Sequence, residues 1–345
     1  MKKIKIGVVG YGVVGKRVAD AVAIQDDMEL VGVADVVSNA LINVASERGY
    51  PLFSVLPEHR EEMNRAGVST TGILDELLKE IDVVVDAGPG GLASKNLPKY
   101  EKAGVKFICQ GGEKHDLTKF SFSALANYEE AIGIDKLRVV SCNTTALCRV
   151  LSTLKKTFGI DKAFISIIRR GADPVRISDG PINGIIPVLG GLSHHAPDVN
   201  SVIPDLNITS MAVAVSQTLA HVHILNIRLK NEHSREEIIR LFQSTPRIIL
   251  ISGEEGIISN AHVMELFRDR LRPRNDMWEV AIWKDSISVE ENTLYLIMCV
   301  HMECVAIPET IDAIRAMTKL ETNKMNSIFK TDKTMGFAKD KSCYI

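Results

Sequence analysis

Apolar positions follow two different rhythms on either side of residue 142. On the N-terminal side short continuous runs recur, at Lys3 to Gly10, Met28 to Ala34, Ile81 to Ala87, Val105 to Cys109 and Leu137 to Ser141. Runs of that length without alternation suit strands buried on both faces. Between them, Lys16 to Ala23 places Val18, Ala21 and Val22 on one helical face, and Leu97 to Ala103 also reads as helix. Strands that alternate with helices predict a doubly wound parallel α/β sheet over residues 1–141. Beyond Cys142 the period changes to two, in Lys162 to Arg169 and His221 to Lys230. That alternation predicts an α+β unit with a mainly antiparallel sheet and one wet face. Pro174 to Leu192, rich in glycine and proline, reads as a long ordered loop. Pro308 to Leu320 spaces Ile311, Ile314 and Met317 three apart behind an initiating proline, which predicts an amphipathic helix.

Length and composition agree with two domains. The chain has 345 residues, 46% of them hydrophobic and 24% charged, which excludes disorder as the main state. With Lys+Arg at 41 and Asp+Glu at 43 the net charge is -2, so no diffuse basic surface recruits nucleic acid or anionic lipid. No apolar run reaches the roughly 18 residues of a membrane span. The basic start leads into a glycine turn instead of a signal-peptide core, so a cytoplasmic protein is expected. The six cysteines have neither the spacing of a disulfide framework nor a Cys-x-x-Cys pair and read as free thiols, with no metal site expected.

Chemistry begins at Gly10-Tyr-Gly12-Val13-Val14-Gly15, a G-x-G-x-x-G between a predicted strand and a predicted helix. In that context the glycines allow a tight turn, backbone approach to a pyrophosphate, and close helix packing, with the anion at the helix N-terminus. The first unit therefore reads as Rossmann-type. Asp35 ends the second strand, where a carboxylate can accept from an adenosine ribose and repel a 2′-phosphate, so NAD is expected over NADP. Gly90 sits in a second backbone turn at the carboxyl end of the sheet. Cys142, between a strand and the helical run Leu147 to Lys156, would sit at a helix N-terminus, where free N–H groups stabilise a thiolate or an oxyanion. Spacing alone leaves an inert buried cysteine as an equal alternative; Cys148 reads as packing.

The run S-C-N-T-T-A-L-C-R at 141–149 resembles the S-C-N-T-T-G-L-C-R motif of archaeal, type II glyceraldehyde-3-phosphate dehydrogenases. Other segments resemble the same family in order: G-Y-G-x-x-G-K-R-V-A-D-A-V at 10–22, Q-G-G-E-K-H at 110–115, R-R-G-A-D-P at 169–174, G-P-I-N at 180–183, S-H-H at 193–195, H-V-H at 221–223, and P-E-x-I-D-A-I-R-A-M at 308–317. The resemblance implies phosphorylating oxidation of glyceraldehyde 3-phosphate with a nicotinamide cofactor and inorganic phosphate. Cys142 would be the nucleophile and His221 the base, with His223, on the same strand face, the second choice. Ser141, Asn143, Thr144, Arg170, His194 and His195 would hold substrate; either Arg169 or Arg170 would face the site, since alternation sends them to opposite faces. Gly112 and Arg169 would join Gly10, Gly12, Val13, Val14, Gly15, Asp35 and Gly90 around the cofactor. The family also implies a homotetramer and a first domain of residues 1–141 plus 302–345, around a catalytic domain of 142–301.

Several positions depart from the family pattern. Ala146 replaces a glycine, Leu192 and Ala196 flank Ser-His-His in place of proline and glycine, and His301-Met302-Glu303-Cys304 replaces H-Q-E-S. Met302 stands where a polar cofactor contact is usual. Asp35 replaces a lysine common in enzymes of this family that use both cofactors, where it faces the 2′-phosphate, so an altered cofactor choice is one reading, with NADP still possible. Two other readings fit the residues: another cysteine-dependent aldehyde or semialdehyde dehydrogenase of the same architecture, and a nucleotide-binding thiol redox sensor without turnover.

Overall fold

Residues 3–110, 112–171 and 183–337 are described by the computed structural model, and they separate into two compact units, 3–141 with 306–337 and 142–305. Gly111, the first part of the expected loop after Pro174 and the polar tail with Cys343 lie outside the described residues.

The first unit holds eight strands: β1 (Ile4–Val9), β2 (Met28–Asp35), β3 (Leu52–Ser54), β4 (Gly72–Ile73), β5 (Val83–Asp86), β6 (Lys106–Cys109), β7 (Ser121–Phe122) and β8 (Lys136–Val139). They form one sheet in the order β4-β3-β2-β1-β5-β6-β8-β7, every pair parallel. Val8, Val33, Val84 and Ile108 have no exposure, as the continuous apolar runs require of a sheet covered on both faces. Strand order reverses at β1, with β2 on one side and β5 on the other. In open α/β sheets the carboxyl ends of the strands at such a reversal form the ligand crevice. The Gly10 turn follows β1 and the Gly90 turn follows β5, so both expected cofactor loops leave the sheet there.

The expected helix forms as Ile307–Thr318 within the first unit, and every residue from Ile307 to Met317 is buried, so it is covered on all sides and not on one face alone. Its polar groups are satisfied inside the unit. Arg315 donates through Nε to Asp27 at 2.9 Å and through Nη2 to Gln25 at 2.7 Å, Glu309 accepts from the Ala124 N–H at 2.6 Å, and Asp312 accepts from Ser327 and Thr331 of the next helix, Lys324–Met335.

The second unit continues with β9 (Ile160–Arg170), β10 (Ile185–Pro187), β11 (Ile208–Val215), β12 (His221–Leu229), β13 (Ile248–Ile251), β14 (Val280–Trp283), β15 (Ser288–Glu290) and β16 (Thr293–Val300). The sheet runs β10-β11-β9-β12-β16-β14-β13, with β15 beside β16. It is mainly antiparallel; β9 with β11 and β13 with β14 are the parallel pairs. β10 falls within the stretch expected to be loop, paired to the edge of β11. The alternation in β12 comes out as His221, His223, Leu225, Ile227 and Leu229 buried, with Ile224, Asn226 and Arg228 exposed between them. Ser166 on the long β9 and Met298 on β16 lie opposite Ile224 and His223 respectively.

Candidate active site

In the first unit the glycine loop is shaped as a phosphate cradle. Gly10 has φ +85°, and a Cβ there would meet the Gly88 nitrogen at 2.9 Å. A Cβ on Gly15 would fall 1.7 Å from the Gly10 carbonyl oxygen, so only glycine brings the helix Gly15–Ala23 this close to the turn. A Cβ on Gly12 meets nothing within 4 Å, which keeps that backbone approachable. The helix has no side-chain cap and no acidic residue in its first turn, so the amide end after Val13 and Val14 suits an anion. Asp35 is held against this loop: Oδ2 accepts from the Tyr11 N–H at 2.5 Å, and Oδ1 accepts from Val36 at 2.6 Å and Val37 at 3.2 Å. A Cβ on Gly90 would meet the Gly112 carbonyl oxygen at 2.7 Å, so the two loops converge.

In the second unit Cys142 opens the helix Cys142–Thr157. Arg149, seven residues along and fully buried, ties that helix to the body of the unit by donating to the carbonyls of Trp278 and Val305, each at 2.7 Å. Ala146 lies within the helix, so the backbone does not demand the family's glycine there. Cys148 is fully buried, as the packing reading expects. Burial, helped by the charge of Glu303, pushes the Cys142 thiol up to about 11, and the backbone amide of Asn143 and the charges of Arg170 and Arg169 offset this only in part. The helix end alone does not make a standing thiolate.

The expected substrate donors divide sharply. Thr144 is buried and its hydroxyl donates to Asp198 Oδ2 at 2.5 Å, which fastens the nucleophile helix to the short helix His195–Asn200 and turns the hydroxyl away from the phosphate role expected of it. Asn143, also expected to hold substrate, is buried between histidines: its Nδ2 donates to His195 Nε2 at 3.2 Å and its Oδ1 accepts from His223 Nε2 at 2.8 Å. His195 is likewise taken, since its Nδ1 contacts Ser193 Oγ at 2.5 Å. His194 is exposed, stacks on His195 with ring centres 4.1 Å apart, and remains available to a ligand. Ser141 is partly buried.

Arg170, also expected to hold substrate, is engaged inside the protein. Its side chain is 1% exposed and ion-paired to Glu303 Oε1 at 2.5 Å, with further donation to the Thr218 carbonyl at 2.9 Å and to Met302 Sδ at 3.0 Å. Met302, expected at the cofactor, thus has its sulfur on Arg170. Glu303 in turn lies 2.8 Å from His301 Nε2, and although burial alone would raise its pKa, His301 and Arg170 hold it down to about 2. Arg169 differs from its neighbour: its Nε is buried with no partner among the described residues, a donor poised for an anion. Sequence reasoning missed Glu303, although it stands in the quoted His301-Met302-Glu303-Cys304 run.

The two histidines of β12 carry the same tautomer, with the proton on Nε2, but their Nδ1 atoms differ in what they meet. The Arg170 N–H donates to His221 Nδ1 at 3.0 Å, so neutral His221 carries its proton on Nε2 and offers a donor, not the free lone pair expected of a base. Burial, with the charges of His223, Arg170 and Arg169, keeps its pKa well below the ordinary value. His223 donates from Nε2 and its Nδ1 has no partner among the described residues. Burial pushes both His223 and His195 down to about 3.

A parallel sheet with a dinucleotide cradle and a second unit with a thiol at a helix start set among arginines and histidines define a nucleotide-dependent oxidoreductase. Residues 141–286 match the family described as glyceraldehyde 3-phosphate dehydrogenase, C-terminal domain, and residues 4–124 match dihydrodipicolinate reductase, N-terminus. The chain is 47% identical over 98% of its length to all of glyceraldehyde-3-phosphate dehydrogenase 1 of Methanosarcina barkeri. It is 46% identical to the glyceraldehyde-3-phosphate dehydrogenase of Methanothermus fervidus, over 97% of this chain and 99% of that one. With that of Thermococcus kodakarensis identity is 48%, over 98% and 100% of the two chains. The chain belongs to the glyceraldehyde-3-phosphate dehydrogenase family.

Proposed function

We propose that this protein oxidises glyceraldehyde 3-phosphate in the presence of inorganic phosphate to 1,3-bisphosphoglycerate, through a thioester on Cys142. The observation that carries the reading is Cys142 at the start of a helix, with Arg169 and Arg170 close enough for their charges to act on it. A pyridine nucleotide fits the Gly10 to Gly15 cradle, and when bound it supplies an acceptor for hydride. Cys142 reacts as the thiolate, its proton having passed to solvent: it attacks the aldehyde carbon, a C–S bond forms, and the carbonyl electron pair moves to oxygen. His221 offers its Nε2–H to that oxygen and favours the oxyanion. Loss of hydride from the alkoxide carbon restores the carbonyl as a thioester, with no separate proton acceptor needed at that moment. Inorganic phosphate then attacks the thioester carbon and the C–S bond breaks, which returns the thiolate and releases the acyl phosphate. Arg169, through its unpartnered Nε, and the exposed His194 are the donors proposed for the phosphates.

NAD is proposed as the preferred cofactor, supported by the Asp35 carboxylate braced at the end of β2, whose charge opposes a 2′-phosphate. A cytoplasmic homotetramer is part of the proposal. Phe164, Met211 and Ile224, at 38%, 53% and 42% exposure on one face of three adjacent strands, support an oligomer. No helix among the described residues is long and apolar enough to cross a membrane.

The test is cofactor reduction by purified protein with glyceraldehyde 3-phosphate, NAD or NADP, with and without inorganic phosphate. Sustained turnover that requires phosphate and runs faster with NAD supports the reading. Turnover indifferent to phosphate overturns the phosphorylating step, and faster turnover with NADP overturns the role of Asp35.

A further inference from the structure

Asn143 is the residue after the nucleophile, and its side chain is spent inside the protein. Its amide bridges two imidazoles from different elements, His195 at the start of a short helix and His223 on β12, at 3.2 and 2.8 Å. Each bond dictates the next. The Nδ2–H of Asn143 needs a lone pair on His195 Nε2, so the His195 proton sits on Nδ1 and goes to Ser193 Oγ at 2.5 Å. The Asn143 oxygen takes the proton of His223 Nε2. Exposures of 4% for Asn143, 2% for His195 and 0% for His223 leave this chain of bonds dry. His223 Nδ1 has no partner among the described residues, so the bond to Asn143 is what orients that ring.

An asparagine in the first turn of a helix ordinarily competes for nearby backbone groups with its own side chain. Here the two imidazoles withdraw the amide from that competition. Resting on the reading that Cys142 is the nucleophile, we propose that Asn143 is a positioning residue, clamped by His195 and His223 so that the first turn of the helix that carries Cys142 is held in place. His195 and His223 then tune the thiol through the placement of that turn instead of contacting substrate or exchanging protons with it. Because burial keeps both rings neutral down to about pH 3, the clamp persists across the working pH range.

The experiment is the pH dependence of Cys142 alkylation by iodoacetamide on the full-length protein without substrate, read on the Cys142 peptide by mass so that other thiols do not count. His223→Phe keeps the bulk and removes the donor to Asn143; alkylation at neutral pH should slow about tenfold, with the midpoint about one pH unit higher. His223→Gln, whose amide N–H reaches the same acceptor, should return the rate to within about twofold of the parent. A parent-like profile in His223→Phe, or equal loss in both variants, overturns the clamp. If His223→Phe fails to fold, judged by thermal melting, His195→Phe and His195→Gln give the same comparison from the other side of the amide. Failure of the underlying reading shows separately, as turnover by Cys142→Ala.

Discussion

The backbone N–H of Arg170 points at His221 Nδ1, and in a neutral ring that leaves the proton on Nε2. A group so held donates to an oxyanion and has no lone pair to accept the proton of a hydroxyl. The consequence is measurable: His221→Gln, which preserves an N–H donor, should keep hydride transfer within about tenfold of the parent, whereas His221→Ala should lose about two to three orders of magnitude, as for removal of an oxyanion donor. Single-turnover absorbance of the reduced cofactor measures both; equal loss in the two variants would restore the proton-acceptor role. At this scale the sequence was partly legible. The placement of Cys142, the glycine loop and Asp35 was readable because each sits on a local strand-turn-helix. The fate of Arg170 was not, because it depends on Glu303, 133 residues away, and no local period announces a pairing of that separation. Asn143, Thr144 and His195 carried residue types suited to a substrate, and their side chains make bonds to Asp198, Ser193, His223 and one another that no local pattern announces.

Strands and helices were legible wherever one period persisted. The continuous runs of the first unit became a parallel sheet, and the alternation of β12 placed His221 and His223 on its buried side. The helix Ile307–Thr318 was legible from its Ile311, Ile314 and Met317 spacing, but not that its polar face is also covered, because Glu309, Asp312 and Arg315 find partners elsewhere along the chain. Arg315 is the centre of that buried set: its side chain has no exposure and its Nε lies 2.9 Å from Asp27. Removal of one member of such a pair leaves an uncompensated charge in the interior. Arg315→Ala is therefore expected to cost about 3–5 kcal/mol in urea denaturation. A cost below about 1 kcal/mol would mean that water reaches the site and the pair is not a buried one.

For the whole molecule the charge of -2 excludes only a diffuse basic surface, and the arginines near the thiol show how a near-neutral protein concentrates positive charge. Buried neutral histidines give the molecule a pH signature. His195, His221 and His223 all have pKa values below the ordinary 6.5 when folded. The unfolded chain takes up these protons near pH 6.5 and the folded one does not, so stability is full above that pH and falls as pH drops. Between pH 7.5 and 5.5 the loss should be about 1.4 kcal/mol for each histidine, or about 4 kcal/mol together, in denaturant titrations at the two pH values. Unchanged stability over that interval would contradict the burial of these rings. Glu303, held at about 2, adds stability above its unfolded value near 4.5 that disappears only as pH falls toward 2.

The central claim is a covalent acyl group on Cys142, and intact-mass and peptide analysis of protein mixed with glyceraldehyde 3-phosphate and NAD, with phosphate left out, tests it most directly. One acyl adduct per chain on the Cys142 peptide, discharged when phosphate is added and absent in Cys142→Ala, is the result expected. Cofactor reduction without any adduct, or with an adduct on another residue, would contradict it.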